Sequence, residues 1–151
     1  MTPDDVIAFA LGRYAGAVEV ASWGERSVFH NPDRALPRGV YFLTVKDHDG
    51  ANDRASGLDR DGAFRVNIGV GPRAYERLFG PRPARPAKGG VVATGHDFAA
   101  LDVLMPHPVY GWMGWVSVVS PSDATFEELK PLIDEARSLA VTKFERRVGR
   151  A

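Results

Sequence analysis

The sequence predicts an α+β fold with a mainly antiparallel sheet and helices packed on it. A capped amphipathic helix opens the chain, short alternating strand-like segments fill its middle, and a long apolar-striped helix closes it. With 151 residues, 44% hydrophobic and 25% charged, the chain has material for one ordinary core, so residues 1–151 are expected to form one domain.

Thr2 ahead of Pro3, Asp4 and Asp5 is a helix start: a capping hydroxyl, a proline where no amide is needed, and acids at the positive end of the helix dipole. Val6, Ile7, Ala10, Leu11 and Tyr14 continue at helical spacing until Gly16. Residues 17–23 and 27–30, rich in β-branched and aromatic side chains, predict two strands of a hairpin turning at Gly24. Residues 40–46 predict a third strand. Residues 63–70 predict a fourth, half-buried, with Phe64, Val66, Ile68 and Val70 on one face and Arg65 and Asn67 on the other.

Pro72 opens a short helix that Gly80 ends, and the proline-rich stretch 81–90 reads as a mobile loop. Residues 98–105 carry Leu101, Leu104 and Met105 at helical spacing. Residues 112–119, apolar on both sides, predict a central strand. Thr125 and Glu128 predict a capping box for the last helix. Its core-facing stripe is Phe126, Leu129, Leu132, Ile133, Ala136, Leu139, Ala140 and Phe144, and Pro131 should kink or tighten it near its start.

Three segments, residues 65–80 (RVNIGVGPRAYERLFG), 107–119 (HPVYGWMGWVSVV) and 126–144 (FEELKPLIDEARSLAVTKF), resemble the layout of MmcQ/YjbR-like proteins, and more closely an uncharacterised bacterial family allied to them. The resemblance covers most of the chain and implies a frataxin-like two-layer sandwich. It also implies DNA binding, a label often attached to those relatives. The sequence departs from their lysine-rich surroundings before the last strand, where His107 to Trp112 contains no lysine.

Charge and composition narrow the function classes. The formal net charge is zero, so no global field draws the chain to nucleic acid or an anionic membrane. Residues 1–61 hold 7 basic and 10 acidic side chains, a net −3, and residues 62–151 hold 12 and 9, a net +3. Cysteine is absent, which removes disulfides, thiolate zinc sites and cysteine nucleophiles and fits a reducing compartment, so a cytoplasmic location is expected. Neither a signal peptide nor a membrane span is predicted.

Arg65, Arg73, Arg77, Arg82 and Arg85, with Lys88, face a single acid, Glu76, and read either as solvated surface or as contacts to the phosphates of nucleic acid or a phosphate-bearing ligand. Gly69, Gly71 and Ala74 fit a G-x-G-x-x-A spacing, which serves a pyrophosphate in a βαβ setting or otherwise a tight turn. Asp47, Asp49, Asn52 and Asp53 are hard oxygen donors without EF-hand spacing, and read more simply as turn caps. No metal or cofactor is expected. His107, Tyr110 and Trp112, with Trp115, are either core or a pocket in which rings stack on a planar ligand beside an imidazole. The sequence contains no recognisable catalytic motif. It predicts a binding or interaction module for nucleic acid or another anionic ligand, with a small-molecule pocket or enzyme near His107, Tyr110 and Trp112 as the alternative.

Overall fold

The computed structural model describes residues 1–149. Helix α1 spans Pro3–Arg13. A capping box starts it: Asp5 donates its amide to Thr2 Oγ1 at 3.2 Å, and Thr2 donates its own to Asp5 Oδ2 at 2.9 Å. Strands β1 (Ala17–Ser22) and β2 (Glu25–His30) form the hairpin, followed by β3 (Val40–Lys46) and β4 (Arg65–Ile68). Helix α2 (Gly71–Phe79) precedes the two-residue β5 (Met105–Pro106), β6 (Val116–Val119) and helix α3 (Asp123–Gly149). The six strands form one sheet in the order β1-β2-β3-β4-β6-β5, every pair antiparallel. No described helix is long and apolar enough to cross a membrane.

One face of the sheet is apolar. Val28, Leu43, Val45, Val66, Ile68, Val116 and Val118 meet Val6, Ile7 and Ala10 of α1 and Phe126, Leu129, Ile133, Ala136, Ala140 and Phe144 of α3. β3 carries a bulge, with Val28 opposite Leu43 but Phe29 opposite Tyr41, so that Phe42 is the extra residue. Phe42 and Leu43 therefore both enter the helix-facing core, and Tyr41 is turned to the opposite face.

That opposite face corrects the half-buried reading of β4, because irregular segments lie across it and all four β4 residues are buried. Other expectations shift locally. Residues 98–104 form no helix; they cross beside β6, and Met105 joins β5. Residues 111–113 form a 3-10 turn, so β6 begins at Val116 and is next to the edge rather than central. α3 is capped by Ser122, whose Oγ accepts the Thr125 amide at 3.1 Å, one turn before Thr125, the expected cap of the Thr125–Glu128 box. α3 is assigned as one helix through Pro131, and Leu139 of the expected stripe faces outward.

Candidate functional site

Three tiers of side chains cross the second face, set by strand register. The first holds Lys46 and Arg65, directly paired and both buried, with half-buried Glu25 at the start of β2. The next runs Ser27, Thr44, Asn67 and Ser117 across four neighbouring strands. The last is aromatic: Phe29 pairs with Tyr41, and Trp115 lies over Gly69.

The polar tiers are knitted together. Asn67 Nδ2 donates to Thr44 Oγ1 at 3.0 Å, while its Oδ1 accepts from Arg65 Nε at 2.7 Å and Ser117 Oγ at 2.9 Å. Arg65, 0% exposed, also donates to Asp53 Oδ1 at 2.9 Å and to Ser56 Oγ at 3.0 Å. Five donors in a planar fork suit this task, and an unpaired guanidinium could not be buried here. Arg65 is therefore withdrawn from the expected phosphate contacts: its charge is spent inside the fold.

His107 is 1% exposed. Its Nδ1 accepts the amides of Val109 and Tyr110, each at 3.0 Å, and its Nε2 lies 3.3 Å from Arg65 Nη2. Burial, then the charges of Arg65 and Lys46, push its pKa well below the ordinary imidazole value, so the ring stays neutral and pins the turn between β5 and β6. Tyr110 is exposed beside it, whereas Trp112 packs into a small cluster with Val92, Phe98 and Met105. Glu25 is pushed the other way: burial raises its pKa, and Lys46 and Arg65 offset part of that rise.

The other expected arginines do not share one free surface. Arg77 is paired with Glu135 at 2.8 Å, and Arg82 lies 3.7 Å from Glu76. Arg85 sits 4.9 Å above the Trp112 ring. Arg73 is exposed in a shallow recess shared with Arg77, Asp134 and Glu135. Of the acidic loop, Asp53 is taken by Arg65, and Asp49 Oδ1 accepts the Leu58 amide at 2.7 Å as a turn cap. Among the described residues no group of three or more His, Cys, Asp or Glu side chains could hold a metal ion.

The Gly69-Val70-Gly71 turn has a packing explanation. β4 has antiparallel neighbours on both sides, so no βαβ unit exists. A Cβ at Gly69 would come within 2.8 Å of the Trp115 ring, and Gly71 has φ +87°. Gly69 lets Trp115 lie against the sheet, Gly71 leaves room for the Leu139 side chain, and α2 starts from that turn.

What the aromatic tier builds is a groove of about 470 Å³ at the end of the sheet, running round to α3. Tyr41 and Trp115 stack in it with ring centroids 5.1 Å apart and planes 27° from parallel. Trp23 lines it from the hairpin tip, with the Arg38 guanidinium 5.4 Å from its ring centroid. Lys143 and Arg147 line the α3 side, and Arg38, Lys143 and Arg147 are the only charged residues among the described lining. Trp23, Arg38, Tyr41, Lys143 and Arg147 were not expected from the sequence, because they come from four separate segments. One signal was legible: Leu139, Lys143 and Arg147 recur every four residues beside the apolar stripe of α3.

Fold and groove together define an α+β domain with helices on one sheet face and a loop-covered, polar and aromatic second face. Residues 1–149 match the model of DUF6194, a family of unknown function, and the chain belongs to that family. No curated protein and no solved structure matches it.

Proposed function

We propose that this protein is a binding module for a small anionic ligand with an aromatic part, taken in the groove between Tyr41, Trp115 and α3. The observation that carries this reading is the lining itself: an aromatic floor with three cations and, among the described residues, no carboxylate. Such a surface favours a flat apolar group by stacking and an anion by charge. The volume lies within the range of small-ligand sites. This reading shifts the expected small-molecule pocket away from His107 and Trp112, and keeps the anionic character of the expected ligand.

Duplex nucleic acid is the second reading, and the pairing of Arg77 and the burial of Arg65 argue against it. An MmcQ/YjbR-like architecture remains our reading of the fold; the order helix, antiparallel strands, long helix supports it. A cytoplasmic location is supported by the absence of cysteine.

The test uses 8-anilinonaphthalene-1-sulfonate, an aromatic anion, beside its uncharged analogue N-phenyl-1-naphthylamine. The expected result is saturable binding of the anion that the double substitution Lys143→Ala and Arg147→Ala weakens by about tenfold, with a smaller effect on the neutral probe. Binding that is absent, or indifferent to those substitutions, overturns the reading. A steeply salt-dependent affinity for duplex DNA would favour the second reading instead.

A further inference from the structure

We infer that the groove takes a phosphate monoester that carries a flat aromatic ring, with Trp23 closing on the ring and Lys143 and Arg147 holding the phosphate. The inference rests on the anion-binding reading above and adds the chemical class of ligand and a residue that selects it.

Trp23 is the first observation. It is 78% exposed and has φ +50°, and the next residue, Gly24, has φ +74°. Two successive positive φ angles at a two-residue hairpin turn suit Asn, Asp or Gly, and a bulky residue there is disfavoured. Core packing does not explain a tryptophan at this position, because the ring is mostly in solvent. The Arg38 guanidinium stands over the ring and lines the groove with it. An indole kept at a strained, exposed turn above a groove that already contains stacked aromatics is placed to cover a second flat surface.

The α3 side supplies the second observation. Lys143 and Arg147 lie one helical turn apart, on the same face, and both line the groove. Two adjacent cations, with no acid among the described lining residues, match a dianion better than a carboxylate, and a phosphate monoester carries close to two charges at neutral pH. The ring and the phosphate then occupy different ends of the groove, so each alone should bind weakly.

The experiment is calorimetric titration of the whole chain with adenosine 5′-monophosphate, flavin mononucleotide and pyridoxal 5′-phosphate, against adenosine and inorganic phosphate. At least one ring phosphate is expected to bind about tenfold or more tightly than both partial ligands. Trp23→Asn, which suits the turn, should weaken that ligand by about tenfold, while Trp23→Phe restores binding. Thermal unfolding of Trp23→Asn should match or exceed the native protein, which separates loss of the ring from loss of the fold. Ring phosphates that bind no better than inorganic phosphate overturn the inference, as does a Trp23→Asn variant with native affinity. If the naphthalene sulfonate still responds to Lys143 and Arg147 in that case, the anion-binding reading stands and only the ligand class and the role of Trp23 fall.

Discussion

Arg65 shows how a residue type can mislead when its surroundings are unknown. On a strand with apolar residues at alternate positions, an arginine reads as solvent-facing, yet here the loop carrying Asp53 and Ser56 closes over it. Removing the partner of a buried charge is costly, so Asp53→Ala should lower unfolding free energy by about 3 kcal/mol, measured by urea titration. Adding Arg65→Met should recover part of that loss, because no charge is then stranded. A second residue-scale effect concerns His30, which is buried edge-on against Phe144 with Nδ1 lacking a hydrogen-bond partner. Burial and then the Arg137 charge lower its pKa from 6.5. The unfolded chain therefore binds a proton more readily than the native one, and the stability is complete above about pH 6.5 and is lost progressively as pH falls from there through the lower folded-state pKa. His30→Phe should reduce the loss of stability between about pH 7.5 and 5.5, seen as a flatter dependence of the thermal midpoint on pH.

Elements bring these residues together through register and offset. On α3 the stripe from Phe126 to Phe144 seals the core, and the row Leu139, Lys143 and Arg147 beside it reaches the groove. The β3 bulge moves Tyr41 to the face where Trp115 lies. Gly69 completes the arrangement, since only a residue without Cβ leaves room for the indole. Gly69→Ala should displace Trp115 and cost about 1–3 kcal/mol in urea unfolding, and should also weaken the naphthalene sulfonate. Native affinity in that variant would mean that the Tyr41 and Trp115 shelf is not the binding floor. The periodic elements were legible because amphipathic spacing is local: α1, the hairpin, β3 and α3 stand where the pattern puts them. The helical spacing at residues 98–105 failed because three apolar residues in a proline-bounded stretch fit an extended crossing equally well.

At the scale of the molecule, helices cover one sheet face and irregular chain covers much of the other. Groups that look solvent-exposed in sequence become an interior polar lattice at Lys46, Arg65, Asn67 and Ser117. A ligand that binds only the folded state stabilises it by mass action, and at about a hundred times its dissociation constant the gain is about 2.7 kcal/mol. Naphthalene sulfonate or the matching ring phosphate should thus raise the thermal midpoint of the native protein. The same addition should stabilise the Lys143→Ala, Arg147→Ala variant only about half as much, by about 1.4 kcal/mol, and an equal rise in both would place binding elsewhere.

The sequence by itself determined the α+β class, the capped first helix, most strands and the apolar stripe of the last helix, because those depend on local period and turn chemistry. It also determined that the chain carries no cysteine. Tertiary structure alone decided that Arg65 and His107 are internal and that the expected arginines are dispersed. It likewise decided that Trp23, Arg38, Tyr41, Trp115, Lys143 and Arg147 line one groove. Burial and convergence depend on which segments cross the second face of the sheet, and that is fixed by contacts between residues far apart in the chain.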